Sequence, residues 1–161
     1  MSPAGQEASS PEARLAALGL VLPQVAVPLA AYLPAVRTGR YVYTAGQLPM
    51  AEGKLLATGK VGAEVSAEEA ALLAGTCALN ALAAVVSVVG GLSSVRRIIK
   101  VTGFVASSPG FTGQAQVLNG ASELLLDVLG EAGRHARSAV GVAVLPLDAP
   151  VEVELIAEVG T

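Results

Sequence analysis

From Val151 to Val159 the chain alternates strictly. Val151, Val153, Leu155, Ala157 and Val159 fall on one face, and Glu152, Glu154, Ile156 and Glu158 on the other, the period-two pattern of a strand buried on one side. Ala136 to Leu145 alternates in the same way, with Ser138, Val140, Val142 and Val144 opposing Arg137, Ala139, Gly141 and Ala143. Its apolar face is expected to turn inward, leaving Arg137, like Glu152, on a face directed away from the core. Pro146, Asp148 and Pro150 separate the two strands. Arg96 to Ala106, rich in Val, Ile and Phe, predicts a further strand, closed by Ser107-Ser108-Pro109-Gly110.

Helical spacing occurs in three places. Ser66-Ala67-Glu68-Glu69 matches a capping box and opens a helix to about Val89, ended by Gly90-Gly91. A second long helix is predicted from about Gly113 to Leu129, stopped by Gly130, and a short one from Pro11 to Leu18, with Ser10 as N-cap and Gly19 at its stop. Tyr41-Val42-Tyr43-Thr44, entered through a Thr38-Gly39 turn, predicts a hairpin with the Leu29 to Val36 stretch, broken by Pro49 and Gly53. The order β β α β α β β describes a single α+β domain over residues 1–161, with residues 1–10 expected to form a flexible tail.

Composition changes this picture in one respect. Hydrophobic residues make up 53% of the 161 positions and charged residues 14%, more apolar surface than so small a monomer readily hides, so self-association is expected. A net charge of −3 and 3% aromatics offer phosphate backbones no long-range attraction and bases few stacking platforms, which argues against a nucleic-acid partner. Arg96, Arg97 and Lys100 form the only dense basic cluster and read as the exposed face of a strand. Cys77 is the single cysteine. It excludes an intrachain disulfide, suits a reducing cytosol and is expected to serve helix packing.

Ala70 to Leu92 carries no charge and mimics a membrane span. Thr76, Asn80 and Ser87 within it, and strand-like segments elsewhere, favour a buried helix and no membrane partner. The polar, Ala/Ser/Pro-rich first residues lack the pattern of a secretory signal. A cytoplasmic location is the expectation.

One His, one Cys and the lack of a P-loop, a Gly-x-Gly-x-x-Gly turn or a His-Glu-x-x-His helix leave no local metal or nucleotide signature. A Ser/His/Asp triad built on His135 would lack a nucleophile elbow. Arg137 stands out because a long cation inside an otherwise uncharged strand needs an anionic partner. That partner is either Glu152, Glu154 or Glu158 in a structural ion pair, or a ligand carboxylate, and the pattern weighs the two equally. Glu152, one of three glutamates on a single face, reads first as part of a solvated strand surface.

The run Gly133-Arg134-His135-Ala136-Arg137-Ser138-Ala139-Val140-Gly141-Val142, followed by Leu145-Pro146 and Val151-Glu152-Val153-Glu154, resembles the C-terminal signature of the RidA/YjgF (L-PSP endoribonuclease-like, reactive intermediate deaminase) family. Tyr43-Thr44-Ala45-Gly46-Gln47-Leu48-Pro49 is similar to that family's Thr-Ser-Gly-Gln-(Ile/Leu)-Pro segment. Tyr32 falls at its pocket tyrosine, and Asn119, ahead of Glu123, at its helix asparagine. The likeness runs from about residue 29 to residue 159. Ala45 and Ala139 stand where many members carry Ser and Cys, and Ser107 to Gln116 looks longer than usual, as in a divergent, longer-chain branch.

The resemblance implies a chorismate-mutase-like fold, a mixed β-sheet with two helices on one face, assembled as a trimeric barrel with clefts at the subunit boundaries. It also implies a cofactor-free hydrolytic deaminase that converts reactive enamine/imine intermediates, such as 2-aminoacrylate, to 2-oxo acids and ammonia. Arg137 would clamp the substrate carboxylate and Glu152 would position or activate water. Tyr32, Ala45, Gly46, Asn119 and Ala139 would line the pocket. The alternatives are a non-catalytic 2-oxo acid binding protein and, against the acidic charge, an endoribonuclease or translation inhibitor.

Overall fold

The computed structural model describes residues 9–25 and 30–161. Most of the expected flexible tail, and Leu29 at the start of the expected hairpin, therefore lie outside the described residues. The chain begins with α1 (Pro11–Ala17), capped by the Ser10 hydroxyl, which accepts from the Ala13 N–H at 3.1 Å. The hairpin follows as β1 (Ala35–Thr38) and β2 (Tyr41–Thr44), turning through Gly39 at φ 56°. Next comes a two-stranded ribbon, β3 (Met50–Ala51) and β4 (Lys54–Leu55). Sequence reading missed this ribbon because two-residue strands are too short to alternate. Its Glu52-Gly53 turn, with both φ values positive, reads simply as a break.

The remaining elements are α2 (Ala67–Val89), β5 (Val95–Ala106), α3 (Gln114–Leu129), β6 (Ala136–Val142) and β7 (Val151–Val159), close to the predicted bounds. The Ser66 hydroxyl accepts from the Glu69 N–H at 3.1 Å, and Gly90, left-handed at φ 94°, ends α2. One five-stranded sheet has the order β1-β2-β7-β5-β6, parallel between β5 and β6 and antiparallel elsewhere. Two register shifts in β5 keep Val95, Ile98 and Val101 buried while Arg96 and Arg97 both stay exposed.

Helices α2 and α3 cover one face of the sheet, and Val151, Val153, Leu155, Ala157 and Val159 are buried beneath them, as the alternation predicts. Helix α2 is long and apolar enough to cross a membrane by length and composition, and here it packs between α3 and the sheet. Cys77 is buried in this layer, its thiol 3.7 Å from the Val151 carbonyl oxygen. Burial, and secondarily the charge of Glu152, pushes the thiol well above its usual range. It packs, as expected.

Among the described residues, no helix covers the opposite face. Tyr41, Tyr43 and Val140 expose 43%, 47% and 42% of their surface there.

The facing of β6 corrects the sequence reading. Arg137 pairs with buried Val101 and Ala139 with Gly103, so Arg137, Ala139 and Gly141 lie on the helix side, with Val140 on the open side. Close approach of α3 is the reason. A methyl group on Gly103 would overlap Leu118, and one on Gly141 would sit 2.8 Å from Gln114 Nε2. Small residues at these two positions leave room for α3. Period-two alternation separates two faces without saying which one is inside, and the larger valines mark the wrong one here.

Candidate functional site

Sequence-predicted site residues gather in two clusters on opposite faces of the sheet. On the open face, Glu152 projects from β7 opposite Phe104 of β5. The segment leaving β2 folds over it, held by a paired bridge between Gln47 and Val153 at 2.8 and 3.0 Å. Gly46 lies against the Glu152 side chain so closely that a methyl group there would overlap the carboxylate oxygen. A side chain at position 46 would displace that carboxylate. Ala45, next along, donates its N–H to the Pro34 carbonyl and accepts from Gln47 Nε2.

The Glu152 carboxyl is held above its ordinary range, first by burial and second by the charge of Glu154 on the same face. Its protonated form is favoured more in the folded than in the unfolded chain. The stability this contributes is full below the ordinary glutamate pKa and is lost as pH rises through the folded value. Thermal melts should therefore show Glu152→Gln more stable than wild type near neutral pH, with the difference vanishing at about pH 3. Equal stability at neutral pH would mean that the carboxylate is not desolvated.

On the helix face, Arg137 reaches from the edge strand to α3. Its Nη1 donates to Asn119 Oδ1 at 2.9 Å and to Ser122 Oγ at 3.1 Å, and its Nη2 donates to the Ala115 carbonyl at 3.2 Å. All three acceptors are neutral. Within the chain, Arg137 makes no ion pair with Glu152, Glu154 or Glu158: Glu158 pairs with Arg40, and among the described residues no carboxylate lies within ion-pair distance of Arg137. Three bonds occupy three of the five guanidinium N–H groups, leaving two. The cation faces a cavity of about 310 Å³ lined by Ser122, Glu123, Leu126, Gly133, Arg134, His135 and itself. Such a group is poised for an external anion.

Ala139 follows Arg137 on the same side of β6 and packs against the core. Tyr32 lies just before β1, 57% exposed, and no hydrogen bond joins its side chain to either cluster. Sequence reasoning missed Ser122 and set His135 aside. The one local signal was that Asn119 and Ser122 lie a helical turn apart; His135 precedes β6, where no periodicity points to it. A larger groove of about 470 Å³ between α2 and α3 includes Asn119 and Glu123 but is otherwise mainly apolar and does not include Arg137. Among the described residues no group of three metal-ligating side chains occurs.

Comparison with known proteins bears on the family and the fold. The chain is 44% identical over 147 residues to protein TCP17 of Trypanosoma cruzi, covering 91% of this chain and 92% of that one. It is 48% identical to Atu1372 of Agrobacterium tumefaciens, a protein of unknown function, whose crystal structure superposes with a TM-score of 0.88 over 93% of this chain and 92% of the other. More distantly, it is 27% identical to E. coli TdcF, whose structure contains bound serine, with a TM-score of 0.61 over 86% and 94% of the two chains. The fall in TM-score fits a chain that keeps the fold but departs from TdcF in detail. Residues 12–159 match the family model described as YjgF/chorismate mutase-like, putative endoribonuclease, and the chain belongs to that family, RidA/YjgF, with its chorismate-mutase-like fold.

Proposed function

We propose that the protein is a hydrolytic deaminase of reactive enamine/imine intermediates, working at clefts between subunits of a homotrimer. The observation that carries this reading is the Arg137 guanidinium, fixed by three neutral oxygens, with two N–H groups to spare and, among the described residues of its own chain, no carboxylate to neutralise it. A substrate carboxylate supplies the missing charge. Such charge-assisted bonds contribute about 1.5–3 kcal/mol each.

Arg137 and Glu152 occupy opposite faces of one sheet, separated by β5. A molecule of a few carbon atoms does not span that barrier, so the two act together only if each serves a different copy's partner. Packing the uncovered sheet faces of three copies into a barrel would bury Tyr43 and Val140 and set the Arg137 edge of one copy beside the Glu152 of the next. In that cleft the imine tautomer of a 2-aminoacrylate-like substrate would seat its carboxylate on Arg137. Glu152 would take a proton from water as the oxygen adds to the imine carbon. Returning that proton to the imine nitrogen gives the carbinolamine, and relaying its hydroxyl proton through the same carboxyl to the amino group breaks the C–N bond, expelling ammonia and leaving the 2-oxo acid. A carboxyl held above its usual range is suited to both transfers.

The second reading is a binding protein for 2-oxo acids, favoured by Ala45 and Ala139, which remove a hydroxyl and a thiol that many family members carry. Serine in TdcF supports a small carboxylate-bearing ligand under either reading. The test generates 2-aminoacrylate in situ with a serine or threonine dehydratase and follows imine decay by trapping. Wild type should accelerate decay, and Arg137→Ala should lose about 10- to 100-fold of that acceleration. Binding of a stable 2-oxo acid without acceleration would select the binding protein. Cleavage of RNA unaffected by Arg137→Ala would contradict both readings.

A further inference from the structure

His135, the only histidine in the chain, is held from two sides. Its Nδ1 lies 2.6 Å from the Gly133 carbonyl oxygen and its Nε2 lies 2.9 Å from Ser122 Oγ. A carbonyl only accepts, so Nδ1 carries the hydrogen, and in the neutral ring Nε2 is left with a lone pair. Ser122 must then donate its hydroxyl hydrogen to Nε2. What its oxygen has left are lone pairs, and one of them receives Arg137 Nη1 at 3.1 Å.

The chain of donors runs in one direction only: Arg137 to Ser122, Ser122 to His135, His135 to the Gly133 carbonyl. A serine inside a helix otherwise tends to turn its hydroxyl back to the carbonyl one turn earlier, where it would do nothing for Arg137. The imidazole prevents this by giving the hydroxyl hydrogen a better-placed acceptor. Asn119 and Ala115 hold other N–H groups of the same guanidinium, so its plane is fixed before any ligand arrives. An arginine tethered only by its own flexible stem would have to be ordered on binding, at a cost to affinity.

We infer that Ser122 and His135 are positioning residues of the carboxylate site, with the Nδ1–H tautomer of His135 setting the direction of the Ser122 hydroxyl and thereby the orientation of Arg137. The inference rests on the reading that Arg137 receives a ligand carboxylate. It adds to that reading the two side chains that decide how the carboxylate is met.

The sole histidine makes the test direct. A long-range 1H–15N spectrum of the full-length wild type should show the ring proton on Nδ1, and Ser122→Ala should shift the Nε2 resonance. Calorimetric titration with pyruvate should show affinity falling about 3- to 10-fold in Ser122→Ala and in His135→Phe, with the double variant no weaker than either single one. Ser122→Thr, which keeps the hydroxyl, should restore most of it. A ring proton on Nε2 in a protein that binds pyruvate overturns the relay alone. Additive losses, or failure of Ser122→Thr to restore affinity, reduce the two residues to structural supports and overturn the positioning role. Absence of pyruvate binding by wild type removes the carboxylate clamp itself, and this inference with it.

Discussion

Replacing Gly120 by alanine is expected to lower the melting temperature by roughly 4–8 °C, whereas the same replacement at Gly75, on the facing helix, is expected to leave it unchanged or raise it. Both glycines sit where α2 and α3 cross. A methyl group on Gly120 would overlap the Ala71 carbonyl oxygen and lie 2.5 Å from its carbon, while one on Gly75 meets only the Gly120 carbonyl oxygen at an ordinary 3.5 Å. The Gly120 neighbour is backbone within a helix, so it cannot rotate away as a side chain would. The helices must separate instead. Overpacking typically costs about 1–3 kcal/mol and occasionally more, and a rigid helix backbone puts this case at about 3 kcal/mol. Alanine's better helix propensity returns only about 1 kcal/mol, which at Gly75 stands unopposed. Thermal melts of the two variants side by side check this, and equal shifts would contradict the close crossing.

This crossing also shows why parts of the structure were legible in the sequence and others were not. Ser66, Gly90, Gly130 and the Val151–Val159 alternation announce their elements through local chemistry, and those elements fall where expected. The facing of β6 depended on a neighbour distant in sequence. Only the approach of α3 shows that Ala139 and Gly141, rather than Val140, face the helices. Ribbon β3–β4 left no periodic trace.

The site divides in the same way. Arg137 and Glu152 stood out, one as an isolated cation and the other through the family resemblance, and both occupy built environments. Ser122 and the tautomer of His135 were not readable, because their role lies in hydrogen bonds between α3 and the entry to β6, 13 residues apart. Nor could the sequence tell that the functional pair would be divided between two faces, since strand order and facing together decide that.

That division is the central claim, and it has a distinctive consequence. If each cleft draws Arg137 from one copy and Glu152 from the next, the two single variants Arg137→Ala and Glu152→Gln are each defective in every cleft. Unfolded together in equal amounts and reassembled, they form mixed trimers in which about one cleft in four receives both intact residues. Imine decay assayed on the mixture, with mixed assembly verified by native mass spectrometry, should recover to about one quarter of the wild-type rate. Mixed trimers no more active than the separate variants would place both residues' work within a single copy, and the shared cleft would be wrong.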